Sequence, residues 1–469
     1  MAFDIKSILF NLPEVKHPAE KKLGFNVKLK WTLIILAAFF ILANIPLHGL
    51  SNNSLARFEY LAIILGTDFG SIISLGIGPI VMASIILQLL VGSGILKIDT
   101  KSEEGKKYFS GLQKLGVLFF IVFEALVYVL MNGLQASPGF TGIVIFQLML
   151  GGLAIMFMDE VSQKWGFGSG VSLFILAGVA WRLFSGLFQF LTPIPGTGGF
   201  KNCLSDFTGT QCAGGVFIIV QSVLNGAPKE AMVAIAAILA TAAIFAMAVW
   251  AQNLKVEIPL SFERLRGYGI KWPLAFFYTS NIPVILAAAL VANVQLMGSL
   301  IEKSAGHPTF FGGFSTDGQA VSGLAFWLGS SNIVDSIIRG SLQTSQIFQA
   351  LTHLIFFMIV AAMFSFFWVK TAGMDETAQA KNIISSGLQI PGFRKDPRVL
   401  ESILRRYIMP LTIMGGLAIG ALAALADSLG ALTSGTAILL AVMIAYQFYQ
   451  NIAQQHAMDM HPAMKKMMA

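Results

Sequence analysis

Runs of about 20 consecutive apolar residues recur along this chain, each long enough to cross a hydrocarbon core of about 30 Å as a helix. Ten candidates can be drawn, at 31–50, 72–96, 112–132, 141–159, 171–191, 229–251, 272–297, 345–368, 407–427 and 432–453. The runs are continuous and do not alternate with polar residues, so they predict helices rather than the strands of a membrane β-barrel. Only 12% of the 469 residues are charged, about half the share that covers an average soluble domain. That shortage excludes an ordinary cytosolic enzyme, a disordered protein and a DNA-binding module. The expected fold class is all-α, a polytopic membrane protein.

Lysine and arginine orient the spans. With the N-terminus in the cytosol, 25 of the 31 basic residues fall in cytosolic segments and five outside, while Arg182 lies within a span. This split predicts ten spans with both termini cytosolic. Trp31, Trp165, Trp250, Trp272 and Trp368 then sit near cytosolic span ends, as an aromatic belt requires. The first apolar run follows a long basic stretch and precedes no small-residue cleavage site, so it reads as a retained span. The chain divides into a cytosolic N-terminal segment (1–30), a first five-span half (31–191), an external polar loop (192–228), a second five-span half (229–453) and a cytosolic tail (454–469). Apolar residues within 3–12 suit either a helix on the membrane interface or a segment packed on the protein's own underside. Cys203 and Cys212 fall outside, on the oxidising side, where a disulfide and two free thiols are both open.

Several spans are interrupted. The apolar segment 55–65 would rise only about 16 Å as a helix, too little to cross. It ends at Gly66, Thr67, Asp68 and Gly70, and Gly76, Gly78 and Pro79 then break the second span. Irregular backbone at membrane depth survives only when buried in protein or lining a wet cavity, so this pairing points to a pathway. An outer-loop surface helix is the alternative for 55–65. The fifth span follows GFGSG (166–170), the tenth follows SGT (434–436), and the seventh holds Pro273 near its entry and Pro283 inside.

Intramembrane ionisable groups are few, and such groups face protein or water. Glu124 suits either an ion or proton site or a structural hydrogen bond, with Asn293 as candidate partner. So few carboxylates argue against ion-coupled transport. The histidines are dispersed, no metal-ligand or nucleophile motif occurs, and Asp159 with Glu160 reads as a solvated helix end. No catalytic residue, metal or cofactor is expected.

Two cytosolic loops, 252–271 and 369–406, are far longer than connections between spans require. Arg264 and Arg266 precede Gly267, and Arg394 and Lys395 follow Gly392. Arginine at an exposed tip suits bidentate phosphate contact. Orientation of the chain explains the sign of this charge but not the loop length.

The stretches LGIGPIVMASIILQLLVGSGI (75–95), QKLGVLFFIVFEA (113–125), MDEVSQKWGFGSGVSLFI (158–175), IPLSFERLRG (258–267), FFYTSNIPVILAAALVANVQL (276–296) and GFRKDPRVLESILRRYIMPLT (392–412) resemble the SecY family, the large subunit of the Sec protein-conducting channel, in its archaeal and eukaryotic branch. The resemblance spans nearly the whole chain, although 197–227 and 299–343 match less closely. It implies ten helices in two inverted pseudo-symmetric halves of five around an hourglass pore. It implies a constricting ring of Ile77, Val81, Val171, Ile175, Ile285 and Leu440, and a plug at 55–65 including Leu55, Phe58, Leu61 and Ile64. Apolar walls of that kind block ions by dewetting a narrow pore. A lateral gate between spans 2–3 and 7–8 is implied, with Glu124 and Asn293 at polar gate positions and Met82 where relatives often carry threonine. Ribosome docking through Arg264, Arg266, Arg394 and Lys395 is implied, as are a SecE-like gamma subunit, a small beta subunit, signal peptides, nascent chains and membrane lipids as partners. The expected location is the archaeal cell membrane, with the endoplasmic reticulum as alternative. A secondary transporter of small solutes is the alternative function, since broken helices and inverted repeats occur there too. A membrane scaffold or insertase without a pore is a third class.

Overall fold

The computed structural model describes residues 9, 12–19, 23–53, 55, 62, 65–96, 98, 102–193, 200–203, 212–262, 269–279, 281–315, 318–385, 388–389 and 396–460. In chain order the elements of the first half are α1 (Phe25–Ala43), β1 (Leu50–Asn53), α2 (Gly78–Gly92), α3 (Glu103–Leu130), β2 (Leu134–Ala136), α4 (Thr141–Trp165) and α5 (Gly170–Phe188). A connecting region carries β3 (Leu191–Pro193), β4 (Phe200–Asn202) and α6 (Gly215–Leu224). Then follow α7 (Pro228–Gln252), β5 (Lys255–Phe262), β6 (Gly269–Ala275), α8 (Ile282–Ala305), β7 (Gly313–Phe314), β8 (Ala320–Ser322), α9 (Gly323–Leu328), α10 (Ile333–Arg339), α11 (Thr344–Thr371), α12 (Glu376–Ser385), β9 (Leu388–Gln389), α13 (Pro397–Ser428) and α14 (Gly435–Met460).

Among the described residues nine helices are long and apolar enough to span a membrane: α1, α3, α4, α5, α7, α8, α11, α13 and α14. The second expected span is the exception, because its helix is only the 15 residues of α2. At 1.5 Å per residue α2 rises about 22 Å, short of a full crossing. Residues 65–77 supply the rest as turns whose polar groups bond one another. Thr67 Oγ1 donates to the Ile73 carbonyl at 2.6 Å, Ser71 Oγ to Asp68 at 2.7 Å, and the Gly70 N–H to Ser74 Oγ at 2.9 Å. Internal pairing lets non-helical backbone lie deep within the protein. Gly76 has φ +54°, and a Cβ there would lie 2.3 Å from the Leu65 carbonyl oxygen, so glycine is required.

Other boundaries move for identifiable reasons. The seventh span begins at Ile282 rather than 272, because Pro283 occupies the first turn, where its missing N–H costs nothing. Pro273 lies instead in β6, opposite Glu257 of β5. The external loop is not wholly irregular. Its β3–β4 hairpin is antiparallel, Cys203 and Cys212 are disulfide-bonded, and the apolar stretch GVFIIVQSVL forms α6 against α7. The ninth helix starts at Pro397, ten residues before the expected 407, with Asp396 accepting from the Arg398 N–H at 2.9 Å. The tail is helical as far as Met460.

The two long loops fold together on one face. β5 pairs antiparallel with β6 over seven residue pairs and with β9 through Ser261–Gln389 and Phe262–Leu388. Under this sheet lies a second small core of Ile258, Leu274, Ala380, Ile383, Leu400 and Leu404. Tyr278 seals it, donating its hydroxyl to the Met374 carbonyl at 2.8 Å. Burial, then the charges of Asp375 and Glu376, push that phenol above its ordinary value. The N-terminal segment docks on the same face. Lys164 Nζ bonds Glu14 and the Val15 carbonyl, and Trp165 Nε1 donates to the Lys16 carbonyl at 3.0 Å. Leu9 is buried beneath Gly111, so at this residue the segment packs on the protein's underside. The other residues of 3–11 lie outside the described residues.

Candidate functional site

The expected ring residues are distributed over four helices. Ile77 is the N-cap of α2 and Val81 lies one turn in; Val171 and Ile175 are on α5, Ile285 on α8 and Leu440 on α14. All six pack into one continuous apolar core, five of them buried and Val171 half-buried. Val81, Val171 and Ile285 also line a cavity of about 530 Å³.

These helices share a second feature: a polar side chain from a neighbouring helix meets each N-terminus. At α5 the buried Asp159 of α4 accepts the Val171 N–H on Oδ1 at 3.0 Å, while Oδ2 accepts from Gln163 at 2.8 Å. At α14 the Asp427 carboxylate of α13 accepts the Thr436 N–H at 2.7 Å and the Ser434 hydroxyl at 3.0 Å on Oδ1. His353 of α11 places Nε2 3.3 Å from Asp427 Oδ2 and Nδ1 2.7 Å from the Leu328 carbonyl. At α2 the buried Glu124 of α3 lies against Gly78, where a Cβ would sit 3.0 Å from Oε2. Before α8, Thr279 and Ser365 of α11 share a hydroxyl hydrogen bond of 3.1 Å. The first backbone N–H groups of a helix have no intrahelical partner and carry partial positive charge, so acceptors there fix where the helix starts. Carboxylates therefore hold α5 and α14, and with them Val171, Ile175 and Leu440.

Asp159 is thus not the solvated helix end expected from sequence: it is buried and bonded to the next helix. Asp427 and His353 were not expected to matter. A signal was present, since each aspartate ends an apolar run shortly before a Ser/Gly-rich helix start, GSG (168–170) and SGT (434–436). Close approach requires the glycines: a Cβ on Gly170 would lie 2.6 Å from Asp159 Cα, and one on Gly435 2.1 Å from the Ala426 carbonyl carbon.

The plug candidate reaches the ring. The Ile77 N–H donates to the Leu65 carbonyl at 2.8 Å, and Leu55, Ala62 and Leu65 are buried. Phe58, Leu61 and Ile64 lie outside the described residues. At the gate positions α2 packs against α3 on one side and α8 and α11 on the other. Met82 is half-buried there, while Glu124 and Asn293 are buried. The expected Glu124–Asn293 pair is not formed, because the Asn293 amide donates to the Ala289 carbonyl of its own helix at 2.8 Å. Glu124 Oε2 has no hydrogen-bond partner among the described residues. Arg264, Arg266, Arg394 and Lys395 lie outside the described residues, and only the strands leading to them are placed. Among the described residues no group of acidic, histidine or cysteine side chains could hold a metal ion.

Comparison with known proteins agrees with this geometry. The SecY family model matches residues 71–449. The protein translocase subunit SecY of Methanothermobacter thermautotrophicus is 42% identical over 459 residues, covering 97% of this chain and 96% of that protein. A solved protein-conducting channel superposes with a TM-score of 0.81 at 37% identity, covering 97% of this chain and 98% of that one. Sec61 in a canine ribosome–channel complex from the endoplasmic reticulum superposes with a TM-score of 0.77 at 37% identity, with the same coverage. Family match, near-complete coverage and shared fold together establish that this chain belongs to the SecY family.

Proposed function

We propose that this chain is the pore-forming subunit of a channel that passes unfolded polypeptides across an archaeal membrane and releases apolar segments sideways into lipid. The single observation that supports the reading is that interrupted helices from both halves place six aliphatic side chains in one apolar core, with the Ile77 N–H donating to the Leu65 carbonyl of the segment read as a plug. An aliphatic ring excludes ions when empty yet has no polar group to hold a chain in transit. The seam where α2 meets α8 and α11 is the lateral gate, lined by Met82, Glu124 and Asn293. The chain has no catalytic role in this reading, and translation supplies the driving force. The small-solute transporter finds no support, since the matched proteins are translocase subunits and protein channels.

The sheet-bearing face is cytosolic in this account, as are both termini, because the basic residues concentrate there. A SecE-like helix and a small beta subunit complete the complex. Arg264, Arg266, Arg394 and Lys395 contact ribosomal RNA from the sheet-mounted loops. The kinship with ribosome-bound Sec61 supports this.

Conductance tests the ring. Replacing Ile77 with Gly and Ile285 with Ser wets the constriction, so resting ion leak through the reconstituted complex should rise several-fold. Leak equal to that of the unaltered channel would remove these residues from the ring.

A further inference from the structure

Resting on the channel reading, we propose that the vestibule above the ring is a peptide-backbone site: an uncharged collar of carboxamides that engages the main chain of a passing polypeptide whatever its side-chain charge. The cavity of about 530 Å³ is lined by Val81, Val171 and Ile285 of the proposed ring. Its wall carries six carboxamides from both halves: Gln88 on α2, Gln113 on α3, Gln163 on α4, Asn281 before α8, and Gln447 and Asn451 on α14. The hydroxyls of Ser84, Ser169, Ser172 and Thr371 fill gaps between them.

Among the described residues no lysine or arginine lines this space, although 31 basic residues belong to the chain. Among the described residues the only ionisable side chain in the wall is Asp159, and its two oxygens are already engaged by the Val171 N–H and Gln163. The polar groups that interrupt the apolar lining are therefore almost all uncharged. A carboxamide has the same donor and acceptor as a peptide unit, so it pairs with any main chain through bonds of modest strength. Gln447 and Asn451 are the exposed members of the set, so their carboxamides are the ones open to a peptide unit. A lysine or carboxylate in the same wall would attract one class of segment and repel the other. The collar is distinct from the gate positions Met82, Glu124 and Asn293, of which none lines the cavity.

Two substitutions of opposite sign test the proposal. Gln447 and Asn451 are exposed on α14. Gln447→Glu makes the wall acidic, and Gln447→Lys makes it basic. Pulse-chase secretion is followed in cells whose only channel subunit of this kind is the chain under test. The reporters share one signal segment and carry a 20-residue acidic or basic stretch. The readout is the ratio of acidic to basic passage rates, which cancels general damage to the channel. The unaltered channel should give a ratio near one. The acidic wall should lower the ratio roughly fivefold to tenfold and the basic wall should raise it similarly, as a unit charge several ångströms away in a wet cavity allows. A ratio that stays the same in both variants, or that already departs strongly from one in the unaltered channel, overturns the collar. Failure of every reporter to pass the unaltered channel would instead count against the channel reading itself.

Discussion

At the scale of single residues, the carboxylates at helix N-termini account for the most. Asp427 accepts from Thr436 and Ser434 and faces His353, so one side chain joins α11, α13 and α14. Asp427→Ala should leave the buried Thr436 N–H without its acceptor, a loss of roughly 1–3 kcal/mol. The melting temperature of the purified complex should fall and its resting leak should rise, because Leu440 rides on the released helix. An unchanged melting temperature and leak would show that the cap is dispensable. These contacts were only partly legible in the sequence. Asp159 was visible as a charge at the end of an apolar run, but its burial depends on the chain turning back at GFGSG, and no local pattern reports that. Glu124 was legible as an intramembrane carboxylate. Its expected partner was not, because Asn293 satisfies its amide within its own helix.

At the scale of elements, the N-terminal segment is held by charge. The hydrogen bond from Lys164 keeps the Glu14 carboxyl below its usual range. A lowered folded value means that the stabilisation is complete above the ordinary glutamate pKa of about 4.3 and is lost as pH falls through the lowered value. Glu14 is 58% exposed, so the pair contributes at most about 1 kcal/mol. Acidification below about pH 4 should loosen the segment and shift Trp165 emission, read as the difference between the wild-type protein and Trp165→Phe. Glu14→Gln should lack the acid transition; a transition that persists in that variant assigns it elsewhere. Span positions were legible because apolar length is a local property. Helix ends were less so: α3 and α13 begin about ten residues before their apolar runs, where polar turns still close backbone hydrogen bonds. The sheet joining β5 to β9 was invisible, since its strands come from loops separated by two spans, α8 and α11.

At the scale of the whole molecule, the proposed channel has the basic loops and the constriction at two ends of one route. The strands that lead to the loops belong to a packed sheet, which suits a docking surface. Arg394→Glu should weaken ribosome binding and make its salt dependence shallower, because fewer counterions are released. Titration of the purified complex with ribosomes at several salt concentrations reads both, and an unchanged affinity and slope would leave these charges with orientation alone. The route itself is tested most directly by photo-cross-linking. A probe is placed at Ile285 or Leu440 in the ring, or at Phe146 on the outward surface of α4, which is 60% exposed. Each channel is then engaged with a chain arrested midway through translation. The account predicts strong cross-links from Ile285 and Leu440 to the hydrophilic part of the arrested chain and none from Phe146. Equal labelling from all three sites, or labelling from Phe146 alone, would contradict it.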